Sequence, residues 1–368
     1  MDNESLKYKI GIGLIPMIGS ILARKLIAYT GSAEAVFKEK KANLLKIPSV
    51  GIHAAKAISS QQVLSRAEEE IEYINKNHLK ALFYLDKDYP VRLQHCEDAP
   101  IMIFSKGETN FDTSKILSIV GTRNATEYGK DMCNKIISGL AINHPDLLIV
   151  SGLAYGIDIC SHKEALANNL HTVAVLGHGL NTVYPSLHKS VANKIVNQGA
   201  LISEFLNDVG PEKQNFVKRN RIIAGLADAT LVVESATRGG ALITADLANS
   251  YNRDVLAVPG RSNDEYSAGC NKLIKRNKAA LIDCVEDIEY LLGWQVVKGK
   301  AFQRNLFPVL TAEESKIFDI LKENGELTID ILGLKAEMPV SKASALLLNM
   351  EFAGVVKSLP GKVYSLVF

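Results

Sequence analysis

Short apolar runs alternate with longer helical stretches through the middle of the chain, and this pattern sets the expected fold. The runs are Ile116–Val120, Leu147–Val150, Thr172–Leu176, Ala200–Ser203, Thr230–Val233 and Val255–Val258. Each is followed by Gly or polar residues and then by a helical stretch. Near-continuous Val/Ile/Leu runs read as strands covered on both faces, and their alternation with helices reads as parallel α/β. The pattern therefore predicts an extended, Rossmann-like, doubly wound sheet over 81–293. Ligands of such sheets sit at the carboxyl ends of the strands. Those ends carry Gly121-Thr122-Arg123, Ser151-Gly152, Gly177-His178-Gly179, Glu204 and Glu234-Ser235.

The flanks follow other patterns. Residues 1–80 read as helical and contain a repeat: Ile15-Pro16-Met17-Ile18-Gly19 returns 32 residues later as Ile47-Pro48-Ser49-Val50-Gly51. Ala23-Arg24 and Ala55-Lys56 follow at the same offset. The repeat resembles the helix-hairpin-helix motif of SAM-like domains, in which a Gly hairpin aims backbone N–H groups at phosphate. Two uses stay open: contact with DNA, or close packing of two helices. Residues 294–309 lack periodicity and are expected to be a linker. Thr311 and Glu314 then form a capping-box pattern, and helices are expected after it, over 327–337 and over 341–352. The tail alternates as a hairpin around Pro360-Gly361, so 310–368 is expected to be a winged-helix module. Its 6 Lys against 8 Asp+Glu suit a protein contact or accessory role better than DNA reading.

Composition narrows the class. The 368 residues fit two or three domains, and 47% hydrophobic with 22% charged residues is globular. The start lacks a secretory pattern, and no run is long enough for a membrane helix. Cys96, Cys133, Cys160, Cys270 and Cys284 are odd in number and form no C-x-x-C, which fits free, buried thiols in a reducing cytoplasm. Cys160-Ser161-His162 has no second ligand pair, so no metal is expected. The net charge of +2 is uninformative by itself.

Enzyme signatures are missing. Gly121 to Gly129 is too long a spacing for a phosphate loop, and Asp131 stands where Ser or Thr should hold Mg²⁺. No G-x-G-x-x-G follows a strand and no G-x-S-x-G elbow exists. His178 has no visible nucleophile, so a structural role is expected for it.

The glycines and cations point elsewhere. Gly152-Leu153-Ala154-Tyr155-Gly156 and Arg238-Gly239-Gly240 sit between strand and helix, where Gly lets N–H groups form an anion nest. Lys213–Arg221 and Lys272–Lys278 each carry four cations and no acid. Lys218 and Arg221 share a helix face at i,i+3 spacing, and Phe216 lies beside the run. A basic groove with an aromatic platform binds single strands without sequence preference. Arginine suits it, because its planar fork grips phosphate and stacks on bases.

These residues resemble the DNA-processing protein A family, also called DprA or Smf. The matching segments are Ile119–Arg123, Ser151–Asp158, Gly179-Leu180-Asn181 with Tyr184-Pro185, Ser203-Glu204, Arg219–Leu226, Gly240–Ala245, Val258-Pro259-Gly260 and Gly269–Ile274. They span roughly 116–283 in matching order and spacing. Tyr155 stands where the family usually has Arg, Val217 where Pro is common, and Gly239 where Ser is usual.

The resemblance implies a cytoplasmic, homodimeric protein that binds single-stranded DNA. Such proteins help exchange single-strand-binding protein for the recombinase RecA in natural transformation. It implies no catalysis, no cofactor and no membrane. Arg123 corresponds to a DNA-binding arginine, and Arg219-Asn220-Arg221 with Lys218 to the same basic pocket. Lys189 falls near a further basic position. The expected nucleic-acid site is thus Thr122, Arg123, Gly152, Tyr155, Lys189, Phe216, Lys218, Arg219, Asn220, Arg221, Gly239 and Gly240. Two other readings stay open. One is a nucleotide-processing phosphoribohydrolase, with Glu234 as catalytic carboxylate. The other is a protein-interaction scaffold.

Overall fold

The computed structural model describes residues 3–295 and 310–367. Six helices open the chain: α1 (Asn3–Leu14), α2 (Ser20–Thr30), α3 (Ala33–Lys38), α4 (Lys41–Leu44), α5 (Ile52–Ser60) and α6 (Val63–Lys76). The sequence repeat is also a conformational repeat. Met17 and Ser49 both take positive φ, 68° and 75°. Ile18 N–H donates to Ile15 O, and Val50 N–H to Ile47 O, each at 3.1 Å. Gly19 and Gly51 then cap α2 and α5 in extended conformation. The copies differ in surroundings. The first lies against the core, where Ile18, Gly19 and Ser20 line a cavity of about 120 Å³ with Phe104 and Lys218. Arg24 beside it donates to Cys96 O at 3.3 Å and stacks over Tyr84 at 4.9 Å. The second copy leaves Ile52 exposed.

The core holds nine strands: β1 (Lys80–Phe83), β2 (Met102–Gly107), β3 (Ile116–Val120), β4 (Leu148–Ser151), β5 (His171–Val175), β6 (Gly199–Ser203), β7 (Ala229–Val232), β8 (Asp254–Ala257) and β9 (Ala280–Leu281). Its helices are α7 (Val91–Gln94), α8 (Glu127–Asn143), α9 (Ile157–Ala167), α10 (Lys189–Gln198), α11 (Lys213–Leu226), α12 (Gly240–Ser250), α13 (Ala268–Lys275) and α14 (Val285–Leu291). The strand order is β1-β2-β6-β5-β4-β3-β7-β8-β9, parallel from β6 to β9 and antiparallel at β1 and β2. Residues of β3 alternate between two apolar clusters, Ile116 and Val120 in one, Leu117 and Ile119 in the other. The sheet is therefore covered on both faces.

All six apolar runs are strands, within one residue at each end. The pattern misses β1, β2 and β9. The first two are antiparallel edge pairs whose polar ends, Lys80 and Lys106, blur the period. The sheet begins at Lys80, one residue before the expected boundary. Trp294, expected in the linker, is buried in the core, and 296–309 lie outside the described residues. Cys96, Cys133 and Cys270 are buried free thiols, whereas Cys160 and Cys284 are half-buried.

The tail is a winged helix: α15 (Ala312–Asn324), β10 (Leu327–Thr328), α16 (Ile329–Ala336), α17 (Val340–Phe352), β11 (Val356–Leu359) and β12 (Val363–Leu366). Both hydrogen bonds of the Thr311–Glu314 capping box form. The helix expected from 327 starts two residues later, because Leu327 and Thr328 pair with β12. Ile317, Leu321, Leu332, Leu347 and Met350 pack a separate small core. The wing turn meets the main core: Pro360 O accepts from Arg253 Nη1 at 2.6 Å, and Gly361 N–H donates to Asn252 O at 3.1 Å. Among the described residues, no helix is long and apolar enough to cross a membrane.

Candidate nucleic-acid interface

The strand order reverses at β3, whose neighbours β4 and β7 lead away in opposite directions. Loops diverge at such a switch point and leave a crevice above the carboxyl ends. A cleft of about 570 Å³ lies there. Its walls come from the loops after β3, β4, β7 and β8 and from the ends of α11 and α12.

Backbone hydrogen bonds tie these loops together. Thr122 N–H donates to Glu234 O at 2.8 Å, and Ile157 N–H to Thr122 O at 3.2 Å. Gly156 sits at φ 74° with Thr122 O and Arg123 O where a Cβ would be, so this crossing requires glycine. Asn220 Nδ2 reaches Gly240 O at 3.4 Å, and Asn124 Nδ2 reaches the Tyr266 hydroxyl at 3.2 Å.

Arg219 forms the floor. It is 4% exposed, and its Nε and Nη1 have no hydrogen-bond partner among the described residues. Its guanidinium occupies the space a side chain at Gly152 would need. Burial lowers its pKa to about 10, an effect that buried Asp158 opposes, so it stays charged at neutral pH. Burial in turn raises the Asp158 pKa, against the pull of Arg219 and of the Ala154 N–H. A buried N–H without an acceptor costs about 1–3 kcal/mol, which an oxyanion in the cleft would recover. Arg123, Lys213 and Arg238 stand exposed at the rim and make no ion pair among the described residues. Glu265 is the one rim acid among the described lining residues.

Aromatic rings extend the cleft sideways. The Arg123 guanidinium lies 5.9 Å over the Phe216 ring, and Phe216 stands 5.6 Å from Tyr184. Tyr155 packs edge-on at 5.0 Å against His188, whose Nδ1 is 2.8 Å from Leu153 O. Tyr155 and Tyr184 are 42% and 46% exposed, so both present ring surface to a ligand.

Thr122, Arg123, Phe216, Arg219, Asn220, Gly239 and Gly240 of the expected set line one cleft. Gly152 abuts it through Arg219, and Tyr155 follows the lining residue Ala154. Lys218 and Arg221 are not brought in. Arg221 is buried on the other side of α11, paired with Glu204 and bonded to Asp98 O. Lys218 reaches the same carboxylate at 3.5 Å. The i,i+3 face they share is real, but it packs on Glu204. Lys189 stands apart from the cleft, exposed at the start of α10.

Other lining residues were not singled out. Lys213 and Arg238 belong to the basic run and the glycine turn that the sequence flags, although neither is in the expected site set. Tyr266 and Asn124 carry no local signal, since they meet only across the sheet. His178 is buried, with Nδ1 2.8 Å from Gly179 O and Nε2 accepting from Tyr184 N–H, a structural role. Glu234, which a hydrolase would need, is also committed. Its oxygens accept from Thr126 N–H at 2.9 Å and from the Thr126 hydroxyl at 2.5 Å, and it does not line the cleft.

Comparisons with known proteins agree with this architecture. The family model for DNA recombination-mediator protein A matches residues 80–293, and that for the DprA winged helix domain matches 307–362. Protein Smf of Escherichia coli (strain K12) is 36% identical over 280 residues, covering 74% of each chain. The putative DNA processing protein DprA of Mycobacterium tuberculosis (strain ATCC 25618 / H37Rv) is 29% identical over 352 residues, covering 92% of this chain and 88% of that one. The X-ray structure of DprA from Streptococcus pneumoniae superposes with a TM-score of 0.64 at 32% identity, over 77% of this chain and 97% of that one. The Helicobacter pylori DNA processing protein A, described for its unique single-stranded DNA binding mode, gives 0.53 at 28% identity, over 59% and 96%. The sheet with its switch-point cleft, the winged helix and a core match running from Lys80 to Gly293 together make this chain a member of the DNA recombination-mediator protein A family.

Proposed function

We propose that the chain binds single-stranded DNA in the switch-point cleft, without sequence preference, and presents it to the recombinase RecA. Its setting would be natural transformation, in the cytoplasm, where it acts as a homodimer and displaces single-strand-binding protein. The role contains no chemical step and calls for no cofactor.

One observation carries the reading: the buried, charged Arg219 has unpartnered N–H groups at the floor of a cleft rimmed by Arg123, Lys213 and Arg238. Such a floor asks for an oxyanion. The rings of Phe216, Tyr184 and Tyr155 beside it suit unstacked bases, which a duplex does not offer. The single-stranded DNA binding described for the Helicobacter pylori relative points the same way.

Fluorescence anisotropy on oligothymidylate and on duplex tests it. Log affinity for the single strand should fall with log salt at roughly −0.7 per phosphate neutralised. Arg123→Ala should weaken binding and flatten that slope by somewhat under one unit. An Arg123→Ala protein with unchanged affinity and slope removes the cleft from the reading.

A further inference from the structure

A second groove lies between α9 and α10, about 590 Å³ in volume. Leu166, Ala167 and Val191 line it, with Lys163 from α9 on one side and Lys194 from α10 on the other. Both lysines are exposed, and neither makes an ion pair among the described residues. Residues 186–203, which include α10, contain no acid. The nearest acid on α9, Glu164, is engaged by Asn134 Nδ2 of α8 at 2.6 Å. Two like charges facing across one groove repel each other, and a polyanion between them relieves that repulsion.

The groove and the cleft are separate, and Tyr155, His188 and Lys189 lie on the chain between them. Ala154 lines the cleft, and Tyr155 follows it with its ring against His188. Lys189 opens α10, and Val191 and Lys194, about 60° apart on that helix, face the groove. A strand leaving the cleft past Tyr155 would therefore meet the exposed Lys189 before it reached Lys163 and Lys194. The groove has no aromatic lining residue, so it offers bases no stacking surface. Its chemistry suits a phosphate backbone.

We propose that the α9–α10 groove is a second phosphate-binding site, which holds the backbone of a nucleic-acid strand after it leaves the switch-point cleft. This rests on the cleft reading, and strand length separates the two. A short oligothymidylate of about six nucleotides fills the cleft alone, whereas one of about thirty reaches the groove. The Lys163→Gln/Lys194→Gln double variant changes only exposed side chains. It should bind the short strand as the parent does, and its salt slope on the long strand should fall by roughly 1.4 units. An unchanged long-strand slope overturns the proposal, even with Arg123→Ala weakening both strands and so upholding the cleft. Loss of binding to an oligoglutamate probe, with strand binding intact, overturns it too and gives the groove to an acidic peptide. No strand binding by the parent protein removes both readings together.

Discussion

Arg219 and Gly152 form a unit in which each explains the other. The guanidinium sits where a side chain at 152 would be, so only glycine lets Arg219 reach the cleft floor. Gly152→Ala should displace it, costing about 1–3 kcal/mol of stability by overpacking. Strand affinity should fall by at least as much as in Arg123→Ala; urea denaturation and anisotropy on one preparation check both. His162 makes a pH prediction. It is fully buried, with Nδ1 2.7 Å from the Thr172 hydroxyl, and burial lowers its pKa from 6.5 to about 3. The unfolded chain takes up this proton below about pH 6.5 and the folded chain only near pH 3. Stability is therefore complete above that range and declines as pH falls through it. Burial lowers the His178 pKa as well, which acts in the same sense. In His162→Gln the decline between about pH 6.5 and 4 should be shallower, measured by urea midpoints across pH. An identical profile would show that His162 does not govern acid sensitivity. Sequence marks Arg123 because it ends a strand. It does not separate Arg219 from Arg221, which differ by two positions on one helix.

At the scale of elements, α11 resolves that ambiguity. Two residues along an α-helix is a turn of about 200°, so the two arginines face opposite ways. Ile222, Ile223 and Leu226 seat the helix on the sheet, which turns Arg219 toward the cleft and Arg221 toward Glu204. Arg221→Ala leaves the Glu204 carboxylate buried without its main partner and should cost about 3–5 kcal/mol. The folded protein should keep the parental salt slope for short strands; a flattened slope would return Arg221 to the binding surface. The two hairpins of the N-terminal repeat are alike in backbone and unlike in surroundings, because the first shares a cavity with Phe104 and Lys218. Local sequence specifies the hairpin conformation, and the neighbour decides whether its N–H groups face protein or solvent.

For the whole molecule, the main question is how the winged helix is held. Among the described residues, hydrogen bonds from its wing to the core run from Arg253 to Pro360 O and from Gly361 N–H to Asn252 O. Gly361 has φ 85°, and a Cβ there would lie 3.1 Å from Arg253 Nη1. Gly361→Ala should loosen the module, seen as a larger radius of gyration in small-angle scattering, while the cleft keeps its affinity. An unchanged radius would mean that other contacts hold the tail. The wing meets the turn between α12 and β8, at the sheet end opposite the cleft, so the cleft and the tail occupy separate surfaces. By itself, the sequence determined six strands of the parallel sheet, the capping box, the hairpin repeat and the Gly-rich turns. Each depends on residues a few positions apart, whose periodicity or backbone preference acts locally. Only the tertiary structure decided that Arg219 faces the cleft while Arg221 pairs with Glu204, that Glu234 holds the Thr126 N-cap of α8, and that Tyr266 closes the rim. Those outcomes depend on which side chains meet across the sheet, and spacing along the chain carries no record of such meetings.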